Sequence, residues 1–153
     1  MVDAGFAKTR AIDPTFFFTA RSRWYFNNFL GIEPDIGYWK SDHADHECIG
    51  TTCKDLGLRD LDTSVSLIVN DPTWDTTSLY FGGGVGAHFR KGDVSVFEER
   101  TETRFGVQFL FGVQHHFNDS TSFDAGVRAD LVQRGDLENQ HQLKVYAGLA
   151  FKL

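Results

Sequence analysis

Hydrophobic and polar residues alternate through the middle of this chain with a period of two. From Phe105 to Phe117 the odd positions read Phe, Val, Phe, Phe, Val, His, Phe, while the even positions from Arg104 to His116 read Arg, Gly, Gln, Leu, Gly, Gln, His. After Asn118-Asp119-Ser120 the pattern restarts, with Phe123, Ala125, Val127, Ala129 and Leu131 set against Asp124, Gly126, Arg128 and Asp130. No helical period fits such a run. It predicts a long antiparallel hairpin with one apolar and one polar, glycine-bearing face.

Similar runs recur along the chain. Phe16, Phe18, Ala20, Trp24 and Phe26 oppose Thr19, Arg21, Arg23 and Tyr25, and Leu30, Ile32, Ile36 and Tyr38 oppose Gly31, Glu33, Asp35 and Gly37. Val65, Leu67 and Val69 alternate with Ser64 and Ser66; Leu79, Phe81, Val85, Ala87 and Phe89 alternate with Tyr80, glycines, His88 and Arg90. Leu143 through Leu153 alternates with Lys144, Tyr146, Gly148 and Lys152. Val2 to Ile12 is a weaker strand whose faces the pattern leaves unassigned. Segments 41–61, 91–102 and 132–141 read as long polar loops, and 27–29, 70–77 and 118–122 as shorter turns. A reversal at Asn27-Asn28-Phe29 would pair Trp24 with Ile32, Arg23 with Glu33 and Arg21 with Asp35, matching charge on the polar face; a one-residue slip would invert every side chain.

Two solvents explain the alternation. A soluble sandwich or a lipocalin-like carrier would turn its apolar faces inward; a membrane barrel turns them to lipid and fills a narrow interior with the polar face. Soluble strands usually run about five or six residues, whereas spanning strands need about 9–11. The runs here match the longer class. With an even strand count, short turns on one rim and long loops on the other, the prediction is all-β: an eight-stranded antiparallel up-and-down transmembrane β-barrel, one domain over residues 1–153. Both termini then fall on the short-turn, periplasmic rim. Aromatic residues gather near strand ends, Trp24, Tyr25, Phe26, Phe117 and Phe123 at one rim and Tyr38, Trp39 and Phe89 at the other, as interfacial girdles would.

Composition narrows this further. The 153 residues include 15 Phe and 15 Gly but only 3 Pro, and no run approaches the length of an apolar spanning helix. The formal net charge of −6 gives no basic footprint for nucleic acid. No signal peptide precedes the first strand, so an exported protein would have lost its leader.

The segment RFGVQFLFGVQHHFNDSTSFDAGVRADL and the closing strand QLKVYAGLAFKL resemble hairpins and the carboxy-terminal strand of the small outer-membrane barrels of the OmpA/OmpX type. Here the final aromatic, Phe151, stands two residues before the end. The resemblance implies a bacterial outer-membrane location, contact with the bilayer and lipopolysaccharide, and a monomer. It implies no cofactor and no particular activity.

Candidate chemistry is sparse. Arg21, Arg23, Glu33, Asp35, Arg104, Asp124, Arg128, Asp130 and Lys144 fall on polar faces and are expected to form a lumen charge network, since buried ions need partners. Cys48 and Cys53 bracket four residues and are expected to form a disulfide in an oxidising compartment; a metal site with His43, His46 and Glu47 matches no common zinc spacing. His115 and His116 lie beside Asp119, Ser120 and Ser122, but they point to opposite faces at the periplasmic turn, away from outer-leaflet lipid. His88 has no serine or carboxylate at an obvious spacing. Gly82 to Gly86 lacks the helix start of a phosphate loop, and Arg134-Gly135-Asp136 is expected to be a chance tripeptide. The expected role is structural or surface-interacting, with loops 41–61, 91–102 and 132–141 meeting any ligand. The alternatives are a narrow solute channel and an enzyme modifying outer-leaflet lipid.

Overall fold

The computed structural model describes the backbone of residues 2–9, 15–49, 52–74, 76–95, 98–133 and 141–151, and the side chains of 15–41, 57–71, 76–92, 99–133 and 141–151. Nine strand segments follow one another: β1 (Val2–Thr9), β2 (Thr15–Arg21), β3 (Trp24–Tyr25), β4 (Leu30–Ile49), β5 (Thr52–Trp74), β6 (Thr77–Ser95), β7 (Glu98–His116), β8 (Thr121–Val132) and β9 (His141–Phe151). β2 and β3 are one strand, because both keep a constant register against β4, with Arg21 opposite Asp35 and Trp24 opposite Ile32. The interruption has a cause. Ser22 N donates to Pro34 O at 3.1 Å, but Pro34 has no N–H to return the bond.

Each strand pairs antiparallel with its sequence neighbour, and β1 pairs with both β2 and β9. The ring therefore closes as an eight-stranded up-and-down barrel, which leaves no sheet edge within the wall. The register expected around Asn27 is present: Phe26 N donates to Leu30 O at 2.8 Å. Asn27 Oδ1 accepts the Phe29 and Leu30 amides, both at 2.8 Å. Asn118 repeats this chemistry at the next turn but one, accepting from Ser120 and Thr121 at 2.9 and 2.8 Å. In both turns an Asn side chain stands in for a backbone carbonyl.

Three segments depart from the sequence expectation. Residues 41–61 are not an irregular loop: β4 and β5 continue as a paired ribbon with Cys48 opposite Cys53 and Ile49 opposite Thr52, interrupted by one irregularity between Ser41 and Asp45. Residues 91–102 likewise extend β6 and β7, with Asp93 opposite Glu99. The supposed turn at 70–77 narrows, since β5 runs to Trp74 and β6 begins at Thr77. Beyond the membrane both faces of a ribbon meet water, so a strand there loses the alternation that marks it. Most of the loop expected at 132–141, including Arg134-Gly135-Asp136, lies outside the described residues.

Orientation is decided by exposure. Val85, Phe105 and Phe111 are 65%, 67% and 58% exposed on the outer wall, while Asp60, Asp124 and Lys144 are 0%, 0% and 2% exposed on the inner one. In water such a surface would be a large apolar patch; in a bilayer it faces its own solvent.

Candidate functional site

Parity dictates which side chains enter the barrel. Inward positions bring Arg21 and Arg23 from the β2–β3 strand, Glu33 and Asp35 from β4, Asp60 and Asp62 from β5, His88 and Arg90 from β6, Asp124, Arg128 and Asp130 from β8, and Gln142 and Lys144 from β9. They form three tiers.

The tier nearest the short turns centres on Asp124. Arg21 donates to Asp124 Oδ1 at 2.8 Å and lies 3.5 Å from Glu33. Arg23 reaches Glu33 at 2.5 Å and Asp124 at 3.6 Å. Tyr80 also donates to Asp124 Oδ1, at 2.6 Å. Its only proton is thereby used, so the 2.7 Å contact between the Tyr80 and Tyr146 hydroxyls has Tyr146 as donor. The guanidinium of Arg21 stacks 4.3 Å from the Tyr146 ring centre, and that of Arg23 stacks 4.0 Å from Tyr80. Such desolvated cation–π contacts contribute up to about 2 kcal/mol each. Gly112 and Gly126 leave room for the two phenols: a Cβ at Gly126 would sit 2.5 Å from the Tyr146 hydroxyl.

The middle tier centres on Arg128. It donates to Asp35 at 2.7 Å, to Asp130 at 2.7 Å and to Asp62 at 3.4 Å. Lys144 pairs with Asp62, and with Asp130 at 2.9 Å. Gln108 donates to Ser64 at 2.6 Å and to Ser66, and Ser64 donates to Asp35. In the third tier Asp60 accepts from Arg90 at 3.1 Å and from Gln142 at 2.8 Å, and meets His88 Nδ1 at 3.2 Å. Apolar side chains fill the remainder, with Phe17, Trp39, Leu58 and Tyr146 in one cluster and Ile68, Tyr80 and Leu110 in another.

Eight of the nine charges expected in the interior thus occupy the two lower tiers. Arg104 stands apart, 3.1 Å from Glu102 and 26% exposed near the long-hairpin rim. Arg21 and Asp35 are ladder neighbours, yet Arg21 donates to Asp124 and Asp35 accepts from Arg128, both across the barrel. Trp39, expected in the outer aromatic girdle, is 1% exposed and inside, because it shares parity with Glu33, Asp35 and Gly37. Asp60, Asp62, Arg90 and the two tyrosines were not assigned to the network by sequence, although their parity with Ser64 and Ser66, or with His88 and Lys144, carried the signal. His88 does have a carboxylate partner, supplied by the neighbouring strand. His115 faces outward and contacts Thr77 Oγ1 at 2.8 Å. The backbone pairs Cys48 with Cys53; the side chains of both, with those of His43, His46 and Glu47, lie outside the described residues.

Residues 2–151 match the profile of a family described as outer membrane protein beta-barrel domain. The chain belongs to the outer membrane protein beta-barrel domain family. It is accordingly a protein of the bacterial outer membrane. Solved structures of similar fold include Neisserial surface protein A, with 19% identity and a TM-score of 0.75 over 99% of this chain and 94% of that one. Ail, the attachment invasion locus protein of Yersinia pestis, solved with the heparin analogue sucrose octasulfate, shares 14% identity at a TM-score of 0.61, covering 98% and 95% of the two chains. The N-terminal β-barrel domain of Pseudomonas aeruginosa OprF shares 10% identity at a TM-score of 0.67, covering 98% and 93%. Identities this low establish a common barrel. No curated protein matches the sequence.

Proposed function

We propose that this outer-membrane barrel acts by presenting a surface, and that its interior serves as a rigid filling and conducts no solute. The observation that carries the reading is the density of the inner tiers: the void bounded by Phe17, Arg21, Glu33, Arg128 and Tyr146 amounts to about 10 Å³, too little for more than a single water. Eight strands leave an interior just wide enough for side chains. Above such a filling stands the pair of long ribbons, β4–β5 and β6–β7, which continue past the wall toward the outside and offer paired backbone as a firm binding platform. A closed ring needs no partner edge in its sheet, and this reading takes the barrel as a monomer with residues 1–153 as one domain. Cys48 and Cys53, directly opposite one another, form a disulfide that clamps the β4–β5 ribbon near its tip; directly opposed strand residues fall within disulfide reach.

Catalysis on lipid is disfavoured by position. The His88–Asp60 pair is the best-oriented general-base arrangement among the described residues, but His88 is 3% exposed and separated from lipid by the wall. The test is reconstitution in planar bilayers. Stable conductance steps from the folded protein would contradict the filling; a silent bilayer, with ligand capture lost when the ribbon tips are trimmed, would support it.

A further inference from the structure

Among the described side chains of β2 to β9, the outward wall carries no charge between Lys40, Arg59 and Lys91 at the long-ribbon rim and Asp71 and His115 at the short-turn rim. Within that belt a hollow of about 860 Å³ crosses the wall from β4 to β8. It is a valley between two ladder rows of outward side chains. The lower ridge is Val65, Val85, Val107 and Leu131, each opposite the next. The upper ridge is low at Thr63 and Ala87 and high at Phe105, which is 67% exposed. Between them the floor is bare backbone at Gly86 and Gly106, which stand opposite each other and are half-buried.

The depth of the valley matches one leaflet. On β5, Val65 stands six residues from Arg59 and six from Asp71, so the lower ridge meets β5 at the middle of the belt. The upper end is at Gln133, an exposed residue just past the end of β8 at the long-ribbon rim. Five strands span about 19 Å, and a ladder row on strands tilted by about 40° climbs about 12 Å over that width. Half of a hydrocarbon core of about 30 Å is about 15 Å. The valley therefore leads from the outer headgroup boundary to the bilayer midplane.

We propose that this valley holds one acyl chain of an outer-leaflet lipid as a resident of the wall. A chain on a smooth convex wall touches protein on one side. In the valley it touches the floor and both ridges, and dispersion contacts accumulate with each carbon. No hydrophobic driving force separates the two positions in lipid, so packing decides between them. Gln133 stands where the ester carbonyl of that chain would lie, and its side-chain amide is a donor to it. A second barrel fits less well, since two convex walls meet along a line and leave the floor uncovered.

The test reconstitutes the full chain in phosphatidylcholine nanodiscs with a small fraction of phosphatidylcholine bearing a diazirine in one acyl chain, and maps the light-induced adducts by mass spectrometry. Val85 and Val107 should carry several times the adduct of Val145 on β9, which is 54% exposed and lies outside the valley. Ala87→Phe fills the valley, and adducts at Val85 and Val107 should then fall about fivefold, the effect of about 1 kcal/mol of lost packing. Ala125→Phe, an equal enlargement on the outward face of β8 away from the valley, should leave them unchanged. Heat-modifiable mobility establishes that each variant is folded. Equal labelling of Val85, Val107 and Val145 in the wild type, or unchanged labelling in folded Ala87→Phe, overturns the proposal. Weaker labelling of Val85 than of Val145 in a dimeric particle also overturns it, because a second copy would then cover the valley. None of these outcomes depends on conductance or ligand capture, so the surface-presenting reading stands or falls separately.

Discussion

Arg128 on β8 holds Asp35 on β4 at 2.7 Å from across the barrel, although the strands are not neighbours in the sheet. The contact ties opposite walls together. Removing one partner of a buried ion pair strands the other charge, at about 3–5 kcal/mol. Arg128→Met should therefore lower unfolding stability in lipid by about that amount. Asp35→Asn should cost less, since Ser64 still has an oxygen to donate to. The double variant should cost less than the sum, as measured by urea titration of the folded and unfolded gel species. Strict additivity would mean that the pair is not coupled.

Val107 tests the outer wall. Val107→Arg places a charge in the lipid-facing belt and should cost about 2–4 kcal/mol near the midplane. Val107→Leu should be close to neutral, because lipid accommodates an extra methylene. In a packed protein core the same enlargement would cost about 1–3 kcal/mol. A large penalty for leucine would place Val107 against protein.

The alternation was legible where lipid lies on one side of a strand and protein on the other, and it faded where that contrast ended. Ser41 to Arg59 reads as a loop because Asp, His and Lys can face water from either side of a ribbon. Trp39 reads as a girdle residue by type, but its odd number, shared with Glu33 and Asp35, was the better guide. Facing follows from parity; cross-barrel partnership does not. That Arg21 meets Asp124, about a hundred residues away in the chain, depends on barrel closure and diameter, which no local pattern encodes.

Gly112 and Gly126 make room for Tyr80 and Tyr146. Gly126→Ala should force the Tyr146 phenol aside and destabilise the barrel by about 1–3 kcal/mol, the usual cost of overpacking. Tyr146→Phe removes the colliding hydroxyl, so the penalty of Gly126→Ala should shrink in that background. An unchanged penalty would mean that the backbone, whose Phe111 carbonyl also lies 2.5 Å from the added carbon, is the obstacle.

A Cys48–Cys53 bridge, as proposed above, would close a loop of only six residues, and the chain-entropy argument gives it about 2 kcal/mol, acting on the ribbon. Iodoacetamide should label the native protein only after reduction. Reduction should speed proteolysis at the ribbon tip and leave the heat-modifiable barrel intact. Labelling without reduction would show free thiols.

The uncharged belt, closed above by cations and below by Asp71 and His115, has a mechanical corollary. Sinking the molecule drags ammonium groups into oil and raising it lifts phenylalanine into water, so displacement is opposed both ways and the altitude of the ribbon is set. From Lys40 to Ile49 the β4–β5 arm can rise no more than about 30 Å above that waterline. A sugar coat thicker than this would screen its tip from anything larger than a small molecule.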